Sequence, residues 1–237
     1  MMQKEPKTLT DQEKYAIIPL HYIRIYRNSS KGEKNMKTNK QTIQRLVGSA
    51  VLAAIIVVLQ LLASGIKIGP FTITLSLVPI ILGAILFGPI AGGVLGAVFG
   101  GMVCISVVTG ADPGGFLMFQ QLPFLTLFLC MLKSTAAGVV AGLLWKLLQS
   151  KQKPRLAVLF SAIACPICNT GILCIGMLAF YNDLVTGWAI AEGFANAIGY
   201  VILGMVGVNF LVELAINIIL TPVILRVIAV VKKSIRA

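Results

Sequence analysis

Acidic side chains are scarce in this chain: of 237 residues, 8 are Asp or Glu and 1 is His. Glu213, the acid that stands inside an apolar stretch, has no carboxylate near it in sequence, and His21 lies in a polar N-terminal tail. General acid–base pairs and Ser–His nucleophiles therefore have no candidates, so the chain is not read as an enzyme. Cys165 and Cys168 form a CxxC without a second pair or an imidazole, which excludes the usual zinc arrangements and implies no metal cofactor. With Cys104, Cys130 and Cys174 they are read as small buried apolar residues. No GxxxxGK followed by Ser or Thr occurs, so an ATP requirement would have to be met by another subunit.

What is abundant is apolar sequence. Hydrophobic residues make up 57% and charged residues 12%, against about 25% charged in an ordinary soluble domain. The formal charge of +12 points away from nucleic acid because of where it lies. Lys and Arg gather in residues 1–45, between Lys146 and Arg155, and between Arg226 and Arg236; Lys67 and Lys133 are the exceptions. Positive charge at alternate ends of apolar spans is the positive-inside pattern, which predicts that both termini and the Lys146–Arg155 loop are cytoplasmic.

Apolar runs predict an all-α membrane protein of six transmembrane helices, at about 46–66, 73–87, 89–108, 122–148, 155–180 and 206–231. Pro70, Pro79 and Gly88-Pro89 shorten the second and predict a kink or tilt. Gly92, Gly96 and Gly100 share one face of the third, and Gly138 and Gly142 repeat the device in the fourth, predicting close helix packing. Ala195 to Val208 is apolar enough to extend span six upward, but a single helix from 195 to 231 would be much longer than the bilayer is thick, so residues 182–205 are expected to form an outer helical cap, with Glu192, Asn196 and Tyr200 on one face. Residues 1–41 form a polar tail and 42–237 the membrane domain. Lys31-Gly32-Glu33-Lys34 can be encoded by a purine run resembling a bacterial ribosome-binding site, so the natural start is expected at Met36, with residues 1–35 outside the natural protein.

Four polar groups interrupt the apolar spans: Lys133, Asn169, Asn209 and Glu213. An ionisable group at that depth costs about 2.5–3.5 kcal/mol on the translocon scale, so its default reading is functional. Asn169 lies about 21 Å along span five, in the outer half, and Asn209 and Glu213 lie one turn apart near the outer end of span six. Amides that donate and accept, together with one cation, suit a small polar ligand, with Gln121 and Trp188 as further candidates at the outer mouth. Lys133 has two readings, neutralising an anionic ligand or pairing with Glu213.

Ala50 and Ala54 in span one form an AxxxA pattern. With Pro79, Gly88-Pro89, the Gly-rich third span and an Asn in each of the fifth and sixth spans, residues 42–235 resemble the substrate-binding S components of energy-coupling factor (ECF) transporters, the vitamin importers of bacteria and archaea. The resemblance implies a bundle whose outer pocket captures a water-soluble vitamin in the cell membrane. It also implies docking through Ala50 and Ala54 on a transmembrane coupling protein that carries two cytoplasmic, ATP-binding subunits. Asn169-Thr170-Gly171 and Asn209 to Glu213 are most similar to the branch that includes pantothenate carriers. The rival reading is an ion- or proton-coupled secondary transporter using Lys133 and Glu213; against it, the two halves of the chain do not match.

Overall fold

A computed structural model describes the backbone of residues 20–63, 67–68, 71–72, 75–149 and 154–236, and the side chains of 42–63, 75–149, 154–204 and 210–231. The polar tail through residue 41 and the Asn209 side chain thus lie outside the described side chains. The chain forms two units, Met1–Val47 and Gly48–Ala237.

Helix α1 runs Leu20–Ala63. A two-stranded antiparallel ladder follows, Lys67–Ile68 (β1) with Phe71–Thr72 (β2), pairing Lys67 with Thr72. Then come α2 (Leu77–Phe87), α3 (Pro89–Val108), α4 (Pro113–Gln121), α5 (Pro123–Gln149) and α6 (Pro154–Phe180). After these, α7 (Asn182–Ala191), the single turn α8 (Ala197–Gly199), a π-helical stretch (Tyr200–Met205), α9 (Val206–Ile219) and α10 (Thr221–Arg236) complete the order.

Among the described residues, four helical segments are long and apolar enough to cross a membrane: Thr42–Ala63, Pro89–Val108, Pro123–Gln149 and Pro154–Phe180. Phe210–Ile219 and Thr221–Val231 make a fifth when joined across a 43° bend. The expected second span is α2, which at 11 residues falls short of a bilayer's thickness on its own.

The boundaries have local causes. Gly88 adopts φ +101°, a conformation that side chains disfavour; its N–H still closes α2 on the Ala84 carbonyl, and Pro89 starts α3. Asp112 caps α4, its Oδ1 accepting from the Gly115 N–H at 3.0 Å. Leu220 ends α9 just before Thr221-Pro222, where the proline has no N–H to continue the ladder.

The expected cap over 182–205 is realised in its first half. Gly193, at φ +78°, breaks the chain after α7, and Asn196 caps a new helix by accepting from the Gly199 N–H at 2.6 Å. From there the chain stays helical through Ile219. Glu192 and Asn196 are exposed and Tyr200 is buried, so the three do not share a helix face: the break at Gly193 resets the periodicity.

Two hydrophobic clusters build the interior. The larger joins Leu52 and Ile56 of α1, most of α2, one face of α3, α5 from Cys130 onward, the first half of α6, and Ile224 and Ile228 of α10. The smaller knits Met118, Leu129, Met177, Tyr181, Val185, Ala197 and Tyr200 at the opposite end. In the α3–α5 seam the backbones nearly touch: a Cβ on Gly92 would meet the Gly138 carbonyl, one on Gly96 the Ser134 carbonyl, and one on Gly142 the Cα of Pro89. This is the close approach that the glycine spacing predicts.

Candidate functional site

The end of the bundle that carries Tyr181 supplies a depth scale. The Tyr181 hydroxyl shares a 2.7 Å hydrogen bond with Thr126 Oγ1 and donates to the Leu122 carbonyl at 3.3 Å, so the start of α5 and the end of α6 lie at one level. From that level, at about 1.5 Å per residue, Lys133 lies roughly 15 Å deep along α5 and Asn169 roughly 16 Å deep along α6. The two polar groups thus fall in the same layer.

Lys133 is 9% exposed and Asn169 3%. The Lys133 ammonium stands within electrostatic reach of Cys104, Cys130 and Cys174, which belong to α3, α5 and α6. Cys104 is itself held against α5, its thiol donating to the Leu127 carbonyl at 3.7 Å. A buried ammonium at this depth is costly unless an opposite charge meets it.

The Asn169 Oδ1 atom is buried without a hydrogen-bond partner among the described residues, and so is the Oδ1 of Asn217, which is 1% exposed. A buried carbonyl oxygen left unsatisfied costs about 1–3 kcal/mol. Such a deficit in a native structure marks a place where a ligand or water completes the set. Asn217 is partly accounted for locally, since its Nδ2 donates to the Glu213 carbonyl at 2.8 Å and its carbonyl accepts from Thr221 Oγ1 at 3.0 Å.

Glu213 is buried and within electrostatic reach of Cys165, one turn from Asn169 on α6. It lies deeper than a span beginning at residue 206 implies. Because the helix starts at Ala197, Glu213 sits roughly 23 Å along it, matching Cys165 at roughly 22 Å along α6. Asn209, four residues earlier in α9, then falls at the depth of Asn169 and Lys133.

Gln121 is exposed at the last position of α4, and Trp188 is half-buried in α7 against the smaller cluster. Both stand at the Tyr181 end, well away from the Lys133 layer. Ala50 and Ala54 are exposed on α1, on a face that also exposes Val47, Val51, Ile55 and Val58. Two polar pairs escaped sequence reasoning: Thr126 with Tyr181, and Ser76, which donates to Gln60 Oε1 at 3.3 Å. Gln60 near the end of an apolar helix is the signal that could have exposed the second. A groove of ≈ 510 Å³ between α5 and α6, lined by Val140, Leu144, Leu148, Phe160, Ile163 and Ile167 among others, offers nothing to a polar ligand.

Compared with known protein families, residues 44–225 match the model described as "ECF transporter, substrate-specific component". Searches against curated proteins and against solved structures gave no match.

Proposed function

The chain belongs to the substrate-specific component family of ECF transporters, and from that premise we propose that it captures a water-soluble vitamin, with pantothenate the best fit, in the Lys133–Asn169 layer. Members of this family are transporter subunits, not enzymes; they bind a small-molecule substrate and work with an ECF module. The apolar helices make this one a multi-pass membrane protein.

The observation that carries the reading is the pairing, at one depth, of a buried ammonium with a buried amide oxygen that has no partner among the described residues. Lys133 holds the carboxylate of the ligand. Asn169, with Asn209 across the seam, takes its hydroxyl and amide groups, since an amide both donates and accepts. Glu213, one turn deeper, limits how far an anion descends, because a second negative charge repels it. Gln121 and Trp188 line the approach from the Tyr181 end, which is the outer face, and both termini are cytoplasmic.

Delivery follows from docking. Ala50 and Ala54 leave a shallow strip on the exposed face of α1 that a helix of a transmembrane coupling protein can approach closely. Two cytoplasmic ATPases on that protein supply the energy.

Titration of the purified chain with a panel of vitamins tests the first part: tight binding of pantothenate, and no gradient-driven uptake by the chain alone in vesicles, is the expected result. Uptake driven by an ion gradient without partners would instead establish a secondary transporter.

A further inference from the structure

The second feature that calls for explanation is the bend at Leu220. The helical run from Ala197 to Ile219 is roughly 30 Å long, the thickness of a bilayer's hydrocarbon core, so it completes a crossing without α10. Leu220 lies about 33 Å from the Tyr181 end by the same scale, level with Lys146 at about 34 Å along α5. Helix α10 therefore begins where the membrane core ends, and it departs from α9 by 43°.

Its faces fit that location. Ile224 and Ile228 are buried in the larger cluster and fasten the helix to the bundle. Val223 and Val230, seven residues apart, form an exposed apolar strip. Arg226 is exposed beside that strip, and Lys233 follows it at the same seven-residue interval. Lys232 and Arg236 add charge, and no acidic residue occurs in Thr221–Arg236. Lys146 and Arg155, both exposed, stand at the same end of the bundle. An amphipathic helix with apolar residues toward the acyl boundary and arginine or lysine toward the headgroups binds an anionic bilayer surface.

We propose that α10 is an interfacial helix that holds anionic phospholipid headgroups against Arg226 and the basic sequence that follows it, with Val223 and Val230 seated in the acyl boundary. The attraction is local to the basic face of the membrane and independent of the ligand layer. It anchors one end of the bundle to that leaflet. This inference does not rest on which vitamin is bound.

Two measurements on the full chain in nanodiscs test it. In the first, phosphatidylglycerol is substituted for part of a phosphatidylcholine bilayer and thermal unfolding is followed. The wild-type midpoint is expected to rise by roughly 2–4 °C per engaged side chain, and the rise is expected to vanish in Arg226→Gln/Lys233→Gln. A wild-type midpoint indifferent to the anionic lipid, or a rise that persists in the double variant, overturns the proposal. In the second, Arg226→Cys, Ala229→Cys and Val223→Cys are treated separately with a membrane-impermeant maleimide from the basic side, against the unsubstituted chain as background. The first two positions, exposed outside the apolar strip, are expected to react and Val223→Cys to be protected. Silence at both 226 and 229 would place α10 inside the bilayer, and full reactivity at 223 would place it clear of the acyl boundary; either overturns the interfacial assignment. Charge sensitivity seen only after a coupling subunit is added would assign the face to protein docking instead.

Discussion

The α3–α5 seam and the α6–α9 seam are both helix contacts inside one bundle, yet they are built from opposite materials. In the first, Gly92, Gly96 and Gly138 bring backbone against backbone, with carbonyl oxygens standing where side chains would be. In the second, Asn169, Glu213 and Asn217 put polar groups between the helices, and the Oδ1 atoms of Asn169 and Asn217 have no partner among the described residues. Without a hydrophobic drive between helices in lipid, tight backbone contact supplies dispersion energy and rigidity. An unsatisfied amide supplies neither. The first seam is scaffold that fixes distances; in the second, on the proposed reading, a ligand completes the hydrogen bonds left open among the described residues.

If that contrast is right, substitutions in the two seams fail differently. The largest effect is expected from Gly96→Leu. Its side chain would have to displace the Ser134 carbonyl, and overpacking against backbone costs about 3 kcal/mol or more. The folded yield should collapse, as size-exclusion profiles of the detergent-extracted protein would show. A monodisperse, thermally normal variant would break the scaffold side of the comparison.

Next in size is Lys133→Met. Losing a charge-assisted contact of about 3 kcal/mol lowers affinity for a carboxylate ligand roughly 100-fold. The unfolding midpoint should stay level or rise, because an ammonium no longer has to be buried among thiols. Calorimetry alongside a thermal scan separates the two; lost binding together with a fallen midpoint would mean that Lys133 is structural.

A smaller change is expected at the junction that sets the depth scale. Tyr181→Phe removes the hydroxyl that joins Thr126 and Leu122, at about 1 kcal/mol. Thr126 keeps its own bond to the Leu122 carbonyl at 2.8 Å, so the fold survives with a midpoint lower by roughly 2–4 °C. Smallest of all is Gly171→Ala in α6, where an added Cβ meets nothing within 4 Å. Gaining about 0.8–1 kcal/mol of helix propensity, it should stabilise slightly. A loss comparable to that of Gly96→Leu would show that glycine matters throughout the bundle and not at the tight seam.

Much of this was legible in the sequence because membrane helices announce themselves. Pro89, Pro123 and Pro154 start helices, and the apolar runs between them have the required length. The Gly92–Gly96–Gly100 face was readable for the same reason, since a period near four has one structural meaning in lipid. What was not legible depended on a single residue overriding a pattern. The apolar run from Ala195 to Val208 allowed an upward extension of the last helix, but the Gly193 break and the Asn196 cap that make the helix start at Ala197 rest on single residues. On the reading proposed above, that earlier start sets Glu213 more than two turns deeper and leaves α10 at the edge of the membrane core. Lys133 and Asn169 stood out as polar residues in apolar surroundings. Their common depth did not, because it rests on Tyr181 reaching Leu122 across 59 residues.

The central claim is that the polar layer holds a ligand and does not merely pack. Mass spectrometry of small molecules retained by equal amounts of folded wild-type, Asn169→Leu and Gly171→Ala protein tests it most directly. The account predicts one carboxylate-bearing small molecule on wild type and Gly171→Ala, absent from Asn169→Leu. The same molecule retained equally on all three, or nothing retained on any, would contradict it.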